Sequence, residues 1–110
     1  MKEMQTITFG QYLLLVADRY DAGKQDDEVS DLACDFRDDA ESRKRAEEGG
    51  QSLFDYISWR ACREARFVLK IAVRRYRSYC RRRGIEPESI DIMDFDRTIS
   101  TYIRWGYKHE

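Results

Sequence analysis

The sequence predicts an all-α fold, a compact domain of about five helices arranged around one long helix at about residues 60–83. Three observations lead to this prediction. Apolar residues recur three and four positions apart along most of the chain, which is the spacing of one helix face. Only one proline occurs in 110 residues, so few helices are interrupted. No segment keeps the strict alternation of a half-buried strand.

The long helix carries an apolar stripe and a basic stripe. The apolar residues are Cys62, Ala65, Leu69, Ala72, Tyr76 and Tyr79. The basic stripe has the same spacing and consists of Arg63, Arg66, Lys70, Arg74, Arg77 and Arg81, extended by Arg82 and Arg83. Gly84 and Ile85 predict a Schellman motif at the end of this helix, and Pro87 prevents it from continuing.

Two shorter helices are predicted before the long one. Thr8 and Gln11 have the spacing of a capping box, so the first helix begins there, and Gly23 is its expected end. Asp26 or Asp27 is the expected N-cap of the second helix. The predicted core-facing residues are Phe9, Tyr12, Leu13, Val16 and Tyr20 in the first helix and Val29, Leu32, Ala33 and Phe36 in the second. The opposite side of the second helix is acidic, with Asp31, Asp35, Asp38 and Asp39.

The remaining segments are less regular. Residues 41–51 are polar and contain two glycines, so we expect them to form a connection between helices. Whether part of this connection is itself helical stays open. A short helix is predicted from Ser52, followed by a bend near Ser58 and Trp59. Residues 86–93 fit a turn, a short extended piece or one helical turn. A last helix is predicted after Asp94, so that residues 85–110 form an extension of a single domain spanning 1–110.

Composition narrows the functional classes. No apolar run approaches the ~20 residues of a membrane span, and the first residues lack the apolar core of a secretory signal. The three cysteines, Cys34, Cys62 and Cys80, lie in apolar helical patterns and are odd in number. These features predict reduced, buried thiols in a cytoplasmic protein.

No catalytic constellation can be assembled from the residues. The only histidine is His109, next to the last residue, so neither a histidine relay nor a metal site is supported. Gly49 and Gly50 lack the lysine and hydroxyl of a phosphate-binding loop. We therefore expect a protein without enzymatic activity, cofactor, metal or small-molecule substrate.

Charge is divided sharply along the chain. Residues 1–40 hold four basic and ten acidic side chains, a net charge of −6, whereas residues 41–84 hold thirteen basic and five acidic, a net charge of +8. Residues 85–110 carry −3. The basic stripe fits three interpretations: contact with nucleic-acid phosphates, contact with an acidic protein, or a surface role as a solvated face or as a partner for the acids of the second helix.

Three stretches of the chain resemble a known family. They are residues 8–14 (TFGQYLL), residues 29–39 (VSDLACDFRDD) and the stretch from Phe54 through Ala61–Ala65 to Tyr76. Together they resemble the YozE-type SAM-like domain, a small bacterial helical module similar to the sterile alpha motif. The resemblance covers about residues 6–80 and implies a compact helical fold without an assigned activity. Two departures are Ser30, where the family tends to have glycine, and the absence of the "FP" that tends to follow the second helix.

These observations favour a non-enzymatic interaction module that binds a protein partner through its charged helix faces. The alternative is a nucleic-acid-binding module that uses the basic stripe. A further alternative is an inhibitor whose acidic face mimics nucleic acid. At the C-terminal end of the long helix, Arg77, Arg81, Arg82 and Arg83 are expected to stay available to a partner.

Overall fold

The computed structural model describes residues 6–92, and this part of the chain contains five α-helices and no strand. The helices are α1 (Phe9–Asp21), α2 (Glu28–Asp38), α3 (Ala40–Glu48), α4 (Gly50–Arg60) and α5 (Arg63–Arg82). They pack into a compact all-α domain, which confirms the predicted fold class. The helix predicted after Asp94 lies outside the described residues.

The ends of α1 follow the local signals in the sequence. Thr8 Oγ1 accepts a hydrogen bond from the Gln11 amide at 3.1 Å, and the Thr8 amide donates to Gln11 Oε1 at 2.9 Å. These two bonds are the predicted capping box. At the other end Gly23 has φ +71°, its amide donates to Tyr20 O, and the Lys24 amide donates to Arg19 O. This is a Schellman motif, so Gly23 ends the helix as predicted.

The N-cap of α2 is Asp27, one of the two predicted residues. Asp27 Oδ1 accepts hydrogen bonds from the amides of Val29 and Ser30 at 3.0 and 3.1 Å. Ser30 Oγ accepts one from the Asp27 amide at 3.2 Å. Ser30 is fully buried, so this capping hydroxyl also satisfies its own hydrogen-bonding needs inside the fold.

The polar stretch predicted as a connection is largely helical, since it contains α3. Asp39 caps α3 by accepting from the Glu41 amide at 3.3 Å and from Ser42 Oγ at 2.6 Å. Within the helix Arg45 pairs with Glu41 at 3.0 Å and with Glu48 at 3.7 Å. A helix held by caps and side-chain pairs needs no apolar period, and for that reason periodicity missed it.

The long helix starts later than predicted, at Arg63 instead of residue 60. Helix α4 runs on to Arg60, past the bend expected near Ser58 and Trp59. The chain is extended at Ala61 (ψ 150°) and Cys62 (ψ 173°), and α5 begins after them. Neither residue is glycine or proline, so no local signal marks this break.

The core lies where α1, α2 and α4 meet α5. Helix α5 contributes Leu69, Ala72, Val73, Tyr76 and Cys80, all fully buried. The apolar face is therefore centred on Val73 and Cys80 as well as on the predicted Leu69 and Tyr76. Two predicted core residues are exposed: Tyr20 lies in the last turn of α1, and Cys62 is the N-cap of α5. Leu32 is only half-buried.

Helix α5 ends as the sequence predicts, and an irregular segment follows. Gly84 has φ +66°, its amide donates to Arg81 O, and the Ile85 amide donates to Cys80 O. These bonds form the expected Schellman motif. Residues 85–92, here called the strap, are not helical, and Ile90 and Ile92 are buried in the core. The strap is thus part of the domain and no mere extension of it.

Glu88 in the strap joins the starts of two helices. Its Oε1 accepts from the Phe9 amide at 2.7 Å, and its Oε2 accepts from the Gly50 amide at 3.0 Å. Phe9 and Gly50 are the first residues of α1 and α4, where amides lack partners within the helix and the helix dipole favours negative charge. One carboxylate therefore satisfies an amide at each of two helix N-termini.

Candidate functional site

The structure divides the basic stripe instead of presenting it as one surface. Arg66 Nε donates to Ser58 O at 3.0 Å, and Arg77 donates to the carbonyl of Ile90. Both arginines are half-buried, and their hydrogen bonds tie α5 to α4 and to the strap. Arg77, which we expected to stay available to a partner, thus uses part of its guanidinium to hold the strap.

The other members of the stripe lie in different surroundings. Arg63 is exposed in the first turn of α5, Lys70 is half-buried, and Arg81 is exposed in the last turn. Arg74, Arg82 and Arg83 are exposed and line a groove between α1 and α5. The groove thus brings together three of the eight predicted residues, and Arg66 and Arg77 are not among its lining residues.

The groove between α1 and α5 has a volume of about 690 Å³. We call it the arginine groove, because Arg19 from α1 and Arg74, Arg75, Arg82 and Arg83 from α5 line it. Its other lining residues are Tyr12, Leu15, Val16, Gln25, Ile71, Ser78 and Tyr79. Guanidinium groups therefore surround an apolar and aromatic floor, an arrangement suited to a partner with both negative charge and apolar side chains.

A row of aromatic rings, tilted against one another, supports the floor of the groove. The centroids of Phe9 and Tyr76 are 5.5 Å apart, those of Tyr76 and Tyr12 5.7 Å, and those of Tyr12 and Tyr79 5.4 Å. The Arg83 guanidinium lies 3.7 Å from the Tyr79 ring centroid, a cation–π contact at the groove edge. Burial raises the pKa of Tyr12, although Arg75 opposes this effect, so its phenol stays neutral at ordinary pH.

Polar contacts connect one side of the groove to the N-cap of α2. Arg19 Nε donates to Gln25 Oε1 at 3.2 Å, and Gln25 Nε2 donates to Asp27 Oδ2 at 3.3 Å. Arg75 also binds Asp27 Oδ2, at 3.1 Å. Partial burial would raise the pKa of Asp27, but the Ser30 amide and Arg75 outweigh it and lower the pKa. Arg75 is thus partly neutralised.

Arg74 and Arg82 are exposed arginines of the groove whose charge is not offset by an ion pair among the described residues. Within residues 6–92 neither has an acidic partner. At the C-terminal end of α2, Asp38 pairs with Arg37 at 3.4 Å, and the C-cap Asp39 pairs with Arg60 at 3.3 Å. Among residues 6–92 the ion pair between a groove arginine and this helix is thus the one from Arg75 to the N-cap Asp27.

A scan of protein-family models and searches of curated proteins and of solved structures gave no match. The site must therefore be judged on its own geometry.

Two arginines of the groove, Arg19 and Arg75, were not predicted from the sequence as site residues. Arg75 lies four residues after Ile71 and seven before Arg82, so it shares their helix face, and this spacing was a usable signal. Arg19 could not be assigned, because only the packing of α1 beside α5 brings it there. Sequence reasoning thus found the charged helix but not its concave side.

Few side chains in the described part of the chain are placed to bind a metal ion or to react. Between residues 6 and 92 no cluster of three or more histidine, cysteine or acidic side chains has the arrangement to hold a metal ion. All three cysteines are free, and burial raises the pKa of Cys34 and of Cys80, which keeps both as neutral thiols near pH 7. No helix in the part of the chain that the structure describes is long and apolar enough for a membrane span.

Proposed function

We propose that this chain is a non-catalytic binding module whose partner is an acidic protein segment held in the arginine groove. The observation that supports the proposal is the placement of five arginines around one apolar floor. Arginine pairs with carboxylates in a planar, bidentate geometry, and apolar side chains of a partner would fill the floor. The exposed and unpaired Arg74 and Arg82 would supply most of the attraction.

Nucleic acid is the second candidate, and Tyr79 favours it. The Arg83 guanidinium lies over the Tyr79 ring, and a base could stack on the outer side of this planar cation. The division of the basic stripe argues against a long backbone contact, however, because Arg66 and Arg77 are engaged with backbone carbonyls. A short groove with an apolar floor fits a peptide better than a phosphate backbone.

The test compares two charge-reversal variants of equal charge change. Arg74→Glu with Arg82→Glu alters the groove, whereas Arg43→Glu with Lys44→Glu alters exposed positions on α3. Binding of a fluorescent peptide of glutamate and leucine residues is measured by anisotropy, with labelled DNA of about 20 nucleotides as the second probe. Thermal unfolding confirms that both variants are folded.

We expect the groove variant to lose peptide affinity at least about tenfold while the α3 variant binds like the parent. Equal affinities in all three proteins would overturn the proposal. Tighter binding of DNA than of peptide, with affinity falling steeply as salt rises, would replace it with the second candidate.

We further propose that the chain is a relative of the YozE-type SAM-like domain and that it acts in the cytoplasm. The first proposal is supported by the capped α1 and α2, which coincide with the first two stretches that resemble the family. The second is supported by three free cysteines, which are typical of a reducing compartment.

A further inference from the structure

We infer that the element held in the arginine groove is an acidic amphipathic helix whose apolar side covers Leu14 and Leu15 of α1. This inference rests on the proposed function, since it specifies the conformation of the acidic partner. It also extends the binding surface from the groove to the neighbouring solvent side of α1.

Two adjacent leucines in the middle of α1 are exposed. Leu14 is 37 % and Leu15 40 % exposed, whereas Leu13, Leu53 and Leu69 are fully buried. Leu14 and Leu15 line a shallow depression of about 430 Å³, together with Thr6, Ile7 and Gln11. Leu15 also lines the arginine groove, so the two concave surfaces are continuous at this residue.

The arginines lie along the groove at helical intervals. Arg75 and Arg82 are seven residues apart on α5, which is two turns, or about 10.5 Å, and Arg74 lies next to Arg75, so an arginine without an acidic partner among the described residues stands at each end of this interval. From Ile71 to Arg82 the groove follows α5 for about 16 Å, the length of an eleven-residue helix. Glutamates seven residues apart on a partner helix would therefore meet this spacing in register.

A single partner helix would satisfy both surfaces at once. Its acidic side would contact the arginines of α5, and an adjoining apolar side would cover Leu14 and Leu15 of α1. This is the helix-in-groove mode of recognition, with apolar anchors three and four residues apart. Asp18 lies one turn after Leu14, so the partner would carry no acid at that point.

The probe is a designed peptide of about 14 residues with leucines on one helix side and glutamates seven residues apart on the adjoining side. A second peptide has the same composition with the leucines spread around the helix, and a third has a central proline. Affinity is measured by anisotropy on the full chain, and peptide helicity by circular dichroism of the complex.

Three variants of the full chain separate the contributions. Leu14→Ser with Leu15→Ser removes the exposed leucines, and Trp59→Ser removes an exposed apolar side chain elsewhere, at a position that is 78 % exposed. Arg74→Glu with Arg82→Glu tests the groove itself. Thermal unfolding of each variant shows whether it is folded.

We expect the leucine variant to lose affinity at least about tenfold and Trp59→Ser to bind like the parent. The rearranged and proline peptides should bind at least about tenfold more weakly than the first. The first peptide should also gain helicity on binding.

Loss of binding in the arginine variant alone, with no discrimination among peptides, would overturn the amphipathic helix and leave the proposed function standing. If neither variant changes affinity, both proposals fail. Displacement of the peptide by DNA, together with an unaffected leucine variant, would also overturn the inference.

Discussion

Tyr76 shows how much a single polar atom contributes inside this core. Its hydroxyl donates to Ile7 O at 2.5 Å and accepts from the Glu88 amide at 2.7 Å. The side chain is fully buried, and this burial raises its pKa to about 12. The neutral phenol therefore joins the segment before α1 to the strap, with both of its hydrogen-bonding functions used.

Replacing Tyr76 with Phe should destabilise the fold by about 1–3 kcal/mol, because it leaves the partly buried Ile7 carbonyl and Glu88 amide without this partner. Chemical denaturation measures this free energy of unfolding. The exposed Tyr20 gives the control, since Tyr20→Phe should have almost no effect. A Tyr76→Phe variant as stable as the parent would mean that these two hydrogen bonds are replaced by others at no cost.

Asp27 should make part of the stability depend on pH. Because its pKa is lowered in the fold, its ionised form contributes stability above the ordinary carboxyl pKa of about 3.9, and this is lost as the pH falls through the folded value. Asparagine caps a helix equally well but does not titrate. The Asp27→Asn variant should thus have a free energy of unfolding lower by about 0–1 kcal/mol near pH 7, because it loses the ion pair with Arg75. Its stability should also fall less steeply than that of the parent as the pH is lowered.

Thermal unfolding of the parent and Asp27→Asn between about pH 2 and pH 5 tests this prediction. Asp39 also has a lowered pKa, chiefly through the Ser42 hydroxyl, so some acid dependence should remain in the variant. If the stability of the two proteins falls in parallel as the pH is lowered, Asp27 contributes nothing to the acid dependence.

At the scale of elements, the start of α4 depends on a residue with no side chain. A Cβ on Gly50 would lie 2.6 Å from Glu88 Oε1 and 3.0 Å from Ile90 Cδ1. Alanine ordinarily stabilises a helix by about 0.5–1 kcal/mol relative to glycine. Gly50→Ala should instead destabilise the protein, because the added methyl group displaces the carboxylate that holds α1 and α4.

Chemical denaturation of Gly50→Ala gives the sign of this effect directly. Glu47→Ala, at an exposed position in α3, is the control for a change near the same turn. A rise in stability for Gly50→Ala would show that Glu88 can move aside without cost.

Local signals determined which helices could be predicted from the sequence. Both ends of α1, the start of α2 and the end of α5 were predictable because caps and Schellman motifs depend on a few neighbouring residues. Helix α3 was missed because its stability comes from charged pairs, and the break before α5 because Ala61 and Cys62 carry no turn signal. The strap had a usable signal, the alternation of Ile90, Asp91 and Ile92, which suits an extended segment with one buried side.

The candidate site could be predicted only in part, for a similar reason. Periodicity places Arg74 and Arg82 on one helix but gives no information about which helix packs beside it. The groove exists because α1 supplies Leu15 and Arg19, and Arg66 and Arg77 are excluded because the chain returns to them at Ser58 and Ile90. Both facts depend on contacts between residues far apart in the sequence.

At the scale of the whole molecule, the strap should behave as one cooperative unit with the helices. Glu88 and Ile90 both contact the position of Gly50, and Ile90 is buried in the core. Residues that share a neighbour usually couple by about 0.5–3 kcal/mol. A double-mutant cycle with Glu88→Ala and Ile90→Ala should therefore be non-additive, because detaching one residue loosens the other.

Equilibrium denaturation of the parent, both single variants and the double variant measures this coupling. Ile92→Ala combined with Lys44→Ala, which alters a distant exposed residue on α3, supplies an additive reference. If the Glu88 and Ile90 effects simply add, the two residues hold the strap independently.

The shared carboxylate of Glu88 also has a consequence for the hydrogen exchange of the two amides that it binds. Amides in the first turn of a helix usually exchange with solvent rapidly, since they have no acceptor within the helix. Here the Phe9 and Gly50 amides have the same acceptor, so a single event, the departure of Glu88, exposes both. Two amide protons from distant parts of the chain should then exchange slowly and with one common protection factor, which reports the free energy at which the strap opens.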